Sequence, residues 1–223
     1  MASVGRWFEE RPEALAQLRT RLRSSYPHLH LTVSNRVARA DGTVAIGANG
    51  RELSRFHLRL ILPDDYPDSL PVVFETANRI ARRLGAPASH VNPDGSLCVG
   101  LPAALRLQYG PLDLVGFLDG PVRSYLLGIF EVENGRPWPF GEWSHGDKGV
   151  REFYFEQFAI TDGRAVCALL GFATRPQLSW VALCPCGSGR IIRSCHAPVL
   201  RRLKRALSRR ELEIAASAFK GAE

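Results

Sequence analysis

The chain has 223 residues, of which 45% are hydrophobic, and its formal net charge is +7. This length favours one main domain with an appendage, since a domain commonly contains about 100–200 residues. No run of eighteen or more apolar residues occurs, so no membrane-spanning helix is expected, and the first residues lack the apolar stretch of a secretory signal. We therefore expect a cytoplasmic protein with no membrane partner.

The first elements are predicted to be a helix and a strand. After Pro12, which fits the first turn of a helix, leucines recur at three- and four-residue steps with arginines between them. This pattern predicts an amphipathic helix of about twelve residues. From Leu29 to Val37 apolar and polar residues alternate, which is the two-residue period of a half-buried strand.

Two hairpin signals follow this strand. They are Asp41-Gly42 and Asn49-Gly50, and the alternation of apolar residues continues after each of them, up to Leu62. We therefore expect a meander of three antiparallel strands. A short fourth strand is predicted at residues 70–74, where Pro71 favours an edge or a strand start.

The rest of the chain is predicted to be mainly helical, with a short helix from Ala77 to Gly85. Proline fits the first turn of a helix, and aspartate or serine fits its N-cap. Such residues stand at Pro111, Pro121, Asp147, Asp162, Pro198 and Ser208, the last within a capping box that ends at Glu211. Cys167 is predicted to be a small core residue. Helix, meander, loop and further helices indicate an α+β fold.

A cluster near the end of the chain predicts a structural zinc site. Five cysteines, an odd number, favour reduced thiols over a disulfide framework. Three thiolates and one imidazole, ligand types that zinc prefers, fall within thirteen residues. They belong to Cys184, Cys186, Cys195 and His196. Because all four positions are filled, we expect a structural site whose metal supplies folding energy to a segment with little core of its own.

The same segment resembles the SEC-C zinc motif in its Cys-x-Cys pair, its Gly-Ser-Gly centre and its terminal Cys-His. Gly187 and Gly189 allow the tight turn that brings the distant ligands back to the first pair. A disulfide between Cys184 and Cys186 is disfavoured, because one intervening residue strains the bridge. A coincidental cluster of free thiols is the alternative.

The positive charge is concentrated in this last part of the chain. Residues 184–223 contain nine Lys or Arg against three Asp or Glu, and the first 183 residues contain 20 against 19. Two interpretations of the basic tail stand open: a solvated helix face, or a surface for an acidic partner such as nucleic acid or an acidic protein.

A polar, turn-rich loop from His90 to Gly100 contains the candidate nucleophile, Cys98. A thiolate is both a nucleophile and a good leaving group, so a cysteine suits transfer of an acyl group. A loop rich in Asn, Pro, Asp and Gly would expose it at a shallow groove. The alternative is a buried structural cysteine, since Leu97 and Val99 flank it.

One set of residues follows a known order along the chain: the strand from Phe56 to Leu62, Pro63, Tyr66-Pro67, Pro71, Val73, Phe74, His90, Asn92, Gly95 and Leu97-Cys98. With these residues the chain resembles the ubiquitin-conjugating enzyme family, from about residue 8 to residue 133. The resemblance implies that family's fold: an amino-terminal helix, a four-stranded antiparallel meander, a catalytic cysteine loop and further helices. It also implies that Cys98 forms a thioester with a protein's carboxyl terminus and passes the acyl group to an amine.

The loop departs from the family's His-Pro-Asn signature, in which an asparagine eight residues before the cysteine supports the loop and the oxyanion. Here Asn92 lies six residues before Cys98, Val91 replaces the proline, and His90 occupies the asparagine's usual position. Asn92, His90 or neither could serve. Glu131 and Glu133 are candidates by position alone for activating the incoming amine.

The string Trp138-Pro139, Gly141-Glu142-Trp143, His145-Gly146, Gly149-Val150 and Glu152-Phe153-Tyr154 resembles the bacterial branch of the family found in anti-phage defence operons, including the CBASS type. This resemblance implies a partner with a carboxyl-terminal glycine, either a ubiquitin-like protein or the CBASS cyclic-oligonucleotide synthase, with or without a separate activating enzyme. We expect three segments: a catalytic domain like that of the conjugating enzymes at 1–146, a helical extension at 147–180, and the zinc knuckle with basic helices at 181–223.

Two rival hypotheses remain. The first is a non-catalytic module of the same fold that uses the zinc segment as an adaptor for a protein or nucleic acid. The second is a zinc-dependent nucleic-acid binder, which explains the basic tail and leaves the cysteine loop without a role.

Overall fold

The computed structural model describes residues 5–84, 90–141 and 143–220. Helices and one four-stranded antiparallel sheet make up the described chain, so the predicted α+β class is confirmed at this level. Within these ranges no helix has the length and apolar character that crossing a membrane requires. The predicted end of a helix at Gly85, and Glu142 of the tryptophan-rich string, lie outside the described residues.

The chain forms two compact units, one of residues 1–100 and 112–140, the other of residues 101–111 and 141–223. The predicted segment boundaries after residues 146 and 180 stay predictions. The first unit contains, in chain order, α1 (Trp7–Glu10), α2 (Pro12–Ser25), β1 (Leu29–Ser34), β2 (Val37–Ala48), β3 (Arg51–Leu62), β4 (Val72–Glu75) and α3 (Arg79–Leu84).

The four strands pair in sequence order, each antiparallel to the next. Leu31 pairs with Ala40, Ala40 with Leu60, and Leu60 with Val73, and all four side chains are buried. Residues aligned across a ladder point to the same face of a sheet. One continuous row of apolar side chains therefore crosses the whole sheet, and α2 packs beside it against β1.

The hairpin predicted at Asp41-Gly42 is wrong, because both residues lie inside β2. The chain turns earlier, at Asn35 and Arg36, whose φ angles of 50° and 60° both lie in the left-handed region that two-residue hairpin turns require. Gly42 serves another purpose. A Cβ at this position would lie 1.9 Å from the carbonyl oxygen of His28, so only glycine lets β1 and β2 meet here.

The second hairpin prediction is confirmed, since Asn49 and Gly50 connect β2 to β3 with φ angles of 51° and 75°. The predicted fourth strand is also present, beginning at Val72, directly after Pro71. Asn49-Gly50 and Pro71 each lie next to the apolar residues of a strand, so the local sequence was enough to locate the turn and the strand start.

The remaining helical part of the first unit runs from Leu114 to Glu133, as α5 (Leu114–Phe117), a π-helical turn (Leu118–Val122) and α6 (Arg123–Glu133). Neither Pro111 nor Pro121 begins a helix as predicted. Asp113 caps α5 by accepting a hydrogen bond from the backbone of Gly116. Pro121 lies within the π-helical turn, whose altered hydrogen-bond register accommodates a residue without an N–H group.

The second unit is helical, and its core is formed by apolar residues of all its long helices. These helices are α4 (Pro102–Tyr109), α7 (Gly146–Phe158), α8 (Gly163–Ala173), α9 (Ala197–Ala206) and α10 (Arg209–Ser217). The sequence did not predict α4. Cys167 is half-buried and packs against the core of this unit.

The caps of these helices were predicted with mixed success. Asp162 accepts hydrogen bonds from the backbone of Arg164 and Ala165 at the start of α8, and the capping box of Ser208 and Glu211 is present. The cap predicted at Asp147 is wrong: α7 begins one residue earlier, and Asp147 lies in its first turn.

We predict that Gly42→Ala lowers the free energy of unfolding by about 3 kcal/mol, because the added methyl group forces β1 and β2 apart. Gly50→Ala is the matched control: its φ is also positive, at 75°, but a Cβ there meets no atom within 4 Å. We expect that control to cost about 1 kcal/mol, from backbone conformation alone. Denaturant unfolding followed by circular dichroism measures both, and equal losses would contradict the proposed close contact.

Candidate functional site

A short hairpin brings the predicted metal ligands together. Leu183 and Ile191 form an antiparallel bridge, and the Cys184 N–H donates to the carbonyl of Arg190 at 2.8 Å. Between them Gly187 and Gly189 have φ angles of 77° and 70°. Glycine adopts such angles without steric cost, so these residues form the tight turn that the sequence predicted.

The four donor atoms of Cys184, Cys186, Cys195 and His196 lie within 4.8 Å of one another. The Sγ atoms of Cys186 and Cys195 are 3.5 Å apart, and each of Cys184 Sγ and Cys195 Sγ lies 3.2 Å from His196 Nδ1. A tetrahedral ion with bonds of about 2.3 Å to sulfur and about 2.0 Å to nitrogen holds its donors roughly 3.5–3.8 Å apart. The cluster could therefore hold a metal ion after small side-chain adjustments.

The imidazole of His196 is oriented by a backbone carbonyl. Its Nε2 lies 3.0 Å from the carbonyl oxygen of Phe158, at the end of α7. A carbonyl can only accept a hydrogen bond, so Nε2 carries the proton and the lone pair of Nδ1 faces the thiols. Ligating histidines are commonly fixed in this way by a second group, which sets the tautomer before the metal arrives.

The thiols differ in acidity while they hold no metal. Burial raises the pKa of Cys184 to about 11. Burial also acts to raise the pKa of Cys186, but hydrogen bonds with Ser188 and with the neighbouring thiols outweigh it and lower the value to about 6. A metal ion would have to displace the proton of Cys184 near neutral pH, so its binding releases protons.

The metal-binding segment shares the core of the second unit. Cys184, Ile192 and Leu200 are buried in the same apolar cluster as Tyr154 and Leu169. The segment has little core of its own, as expected, and its buried residues join a core that the helices of the second unit supply. That a metal contributes folding energy to it stays a prediction. Metal binding would stabilise the helices as well as the hairpin.

The loop that contains Cys98 is itself a small hairpin. Val91 and Leu97 form an antiparallel bridge, and the Cys98 N–H donates to the carbonyl of His90 at 2.8 Å. The Leu97 N–H donates to the carbonyl of Val73 in β4 at 2.7 Å, which attaches the hairpin to the edge of the sheet. The sequence left open whether Cys98 is an exposed nucleophile or a buried structural cysteine. In the structure its exposure is intermediate.

The side chain of Asn92 stabilises the tip of this cysteine hairpin. Its Nδ2 donates to Ser96 Oγ at 3.0 Å, and its backbone N–H donates to the carbonyl of Ser96 at 2.8 Å. Ser96 Oγ in turn donates to Asp94 Oδ1 at 2.6 Å, and the hydrogen bonds from Ser96 lower the pKa of Asp94. The structure thus directs the Asn92 amide to Ser96.

His90 lies at the base of the cysteine hairpin and is buried. Its φ angle of 46° is in the left-handed region, where histidine is more frequent than most residues with a Cβ. Its ring stacks on the indole of Trp138, with the centroids 4.1 Å apart and the planes 28° from parallel. His90 is therefore joined to Cys98 by its carbonyl and to Trp138 by its ring.

Two residues of α6 complete this environment, and the sequence did not identify them. Burial raises the pKa of Tyr125 well above its ordinary value, and the negative charges of ionised Cys98 and Glu75 add to the rise. A Cβ on Gly128 would lie 2.5 Å from the six-membered ring of Trp138. Glycine within a helix is unfavourable by about 1 kcal/mol relative to alanine. A glycine inside a predicted helix was therefore the sign in the sequence that another group packs closely there.

Both glutamates considered for amine activation take part in ion pairs. The side chain of Glu133 is only 4% exposed and pairs with Arg79, whose Nε lies 3.0 Å away, and with Arg83. Glu131 pairs with Arg136. Glu133 therefore ties α6 to α3, which is a structural task.

We predict that Cys195→Ala abolishes metal binding and makes the amides of α9 exchange with solvent at least about tenfold faster, because a metal held by the cluster would link the hairpin to this helix. Elemental mass spectrometry and hydrogen exchange measure the two effects. Cys167→Ala is the control, since Cys167 is half-buried but lies outside the metal-binding cluster. Unchanged metal content in Cys195→Ala would contradict the assignment.

Comparisons with protein-family models, with curated proteins and with solved structures find no match for this chain. The resemblances to ubiquitin-conjugating enzymes, to their anti-phage branch and to the SEC-C motif therefore stay predictions from the sequence. The fold and the two residue clusters described above are the basis for any functional conclusion.

Proposed function

We propose that this protein is a ubiquitin-conjugating-like acyl carrier. The observation that supports the proposal most is the placement of Cys98, a half-buried thiol at the end of a hairpin attached to the edge strand of a four-stranded meander. Such a thiol is held in one place and is still accessible. Both properties suit a residue that must meet the carboxyl terminus of one protein and an amine of another.

In the proposed reaction the Cys98 thiolate attacks the carbonyl carbon of a donor thioester, and the donor's thiolate leaves. An amine then attacks the new thioester, the Cys98 thiolate leaves, and an amide forms while the amine's proton passes to solvent. The Cys98 N–H donates a hydrogen bond to the His90 carbonyl, and the Asn92 side-chain amide donates one to Ser96. Both N–H groups therefore stabilise the hairpin. The proposed donor is a protein whose carboxyl-terminal glycine is already held as a thioester, either a ubiquitin-like protein or a CBASS cyclic-oligonucleotide synthase, acting in anti-phage defence.

The metal in this proposal is zinc in a structural role. Three sulfurs and one imidazole nitrogen form the donor set that zinc favours, and four protein ligands leave no position for a reacting water. The metal's task is to hold the hairpin of the second unit to α9 and, through His196, to the end of α7. Less than about half an equivalent of zinc in the purified protein would contradict this part of the proposal.

We predict that the wild-type protein, incubated with its donor, forms an adduct that thiol reagents release, and that Cys98→Ser converts it to a more stable ester. Esters resist thiols better than thioesters because an alkoxide is the poorer leaving group. Intact-protein mass spectrometry with and without dithiothreitol measures the adduct. Cys167→Ser is the control and should keep the thiol-sensitive adduct. If no adduct depends on Cys98, the enzyme proposal is wrong.

A second candidate, a non-catalytic adaptor, is favoured by a surface on the second unit. Val181 and Leu183 are 70% and 72% exposed, on the hairpin that carries Cys184. From residue 163 to residue 210 the sequence has ten Lys or Arg and no Asp or Glu. Exposed apolar side chains in a segment whose charged residues are all basic suit a partner that offers both apolar and acidic groups.

For the adaptor we predict that Leu183→Ser weakens partner binding about tenfold without changing the melting temperature, because the side chain is already exposed. Ile214→Ser is the matched control, as Ile214 is 61% exposed on α10. Calorimetry with the purified products of neighbouring genes measures the affinity. Salt-sensitive binding of an oligonucleotide that survives Cys98→Ser would favour a nucleic-acid partner instead.

A further inference from the structure

We infer that Trp138 is a positioning residue for Cys98, acting through the ring of His90. The inference rests on the proposed acyl-transfer function, in which the thiol must be presented to two large substrates in one orientation. Displacing a reactive group by about 1 Å can cost roughly 100-fold in rate, so what fixes the base of the cysteine hairpin matters for the chemistry.

The first step of the argument is the connection between Trp138 and Cys98. The His90 ring stacks on Trp138 at a centroid distance of 4.1 Å, and the His90 carbonyl accepts the Cys98 N–H at 2.8 Å. One residue therefore contacts the indole with its side chain and the cysteine with its backbone. Because His90 is held at a φ angle of 46°, a freed ring would allow its backbone to relax and would move the carbonyl.

The second step is that Trp138 is itself held by α6. A Cβ on Gly128 would lie 2.5, 2.7 and 2.9 Å from three atoms of the six-membered ring of Trp138. Tyr125 stands three residues earlier, on the same face of α6, and its ring meets Trp138 edge-on at 6.0 Å. The indole thus lies between the surface of a helix and the His90 ring.

The third step is that the two ends of the cysteine hairpin are held by different groups. Asn92, Asp94 and Ser96 bond to one another at its tip, as described above. At its base, the backbone bonds of His90 and Leu97 hold the strands, and the stack on Trp138 holds the His90 ring. Loss of the stack should therefore loosen Cys98 and leave the tip intact.

The experiment uses Gly128→Ala in the full-length protein, because this change displaces Trp138 without altering His90 or Cys98. We expect the Cys98 amide to exchange with solvent about tenfold faster, and thioester formation to fall about tenfold or more. Adding Trp138→Phe should restore most of both, since phenylalanine lacks the second ring that the new methyl group meets. Gly116→Ala is the control, because the nearest atom to its Cβ would be a leucine methyl at 3.4 Å.

Three results would overturn the inference. One is unchanged exchange at the Cys98 amide in Gly128→Ala. Another is a loss of protection in β2 and β3 as large as at Cys98, which indicates general destabilisation. The third is failure of Trp138→Phe to rescue Gly128→Ala. Amide exchange needs no substrate, so it tests the role of Trp138 even if the wild type forms no thioester and the proposed function fails.

Two substitutions of His90 separate stacking from imidazole chemistry. His90→Phe keeps a flat ring for Trp138 and is expected to retain most of the thioester rate, while His90→Ala loses the stack and is expected to lose about tenfold or more. If His90→Phe loses as much as His90→Ala, a ring nitrogen of His90 is required and the assigned role of Trp138 is wrong.

Discussion

The hairpin that contains Cys98 is attached to the sheet through a backbone hydrogen bond from the Leu97 N–H to the carbonyl of Val73. β4 is the last strand of the sheet, and an uncovered edge strand presents unpaired backbone groups that invite association with other chains. The cysteine hairpin covers part of this edge, and Ser96 bridges to Phe74 beside the same bond. The same few residues therefore protect the edge of the sheet and place the thiol. For this reason the stability of the sheet and the geometry of the candidate site are linked.

In the second unit, the cluster of three cysteines and one histidine lies where a short hairpin joins the helices. The hairpin from Ala182 to Ile192 is too short to bury its own apolar surface, and Val181, Leu183 and Ile191 stay exposed. Its buried residues instead join the core formed by the helices of the second unit, and His196 is fixed by the carbonyl of Phe158. If the four candidate ligands hold a metal ion, they link the hairpin to the start of α9 in addition to these packing contacts.

The sequence predicted those features that depend on neighbouring residues. Alternation located the strands, Asp162 and Ser208 located two helix starts, and the spacing of Cys184 to His196 located the cluster. Features that depend on distant residues were missed. Gly42 was taken for a turn because its role depends on the carbonyl of His28, and the turn at Arg36 had no glycine to indicate it. The contact of Trp138 with His90 could not be read from spacing, since the two are 48 positions apart in the sequence.

The π-helical turn from Leu118 to Val122 sets the rotational phase of the helix that follows it. A turn that holds one more residue than an α-helical turn shifts every later side chain by about 100° around the axis, compared with an uninterrupted α-helix. Tyr125 and Gly128, which lie beside Trp138, both belong to the helix that follows this turn. A one-residue deletion in this turn would leave a well-formed helix whose wrong face met the indole, so the length of the segment around Pro121 matters to the cysteine as much as the identity of its residues.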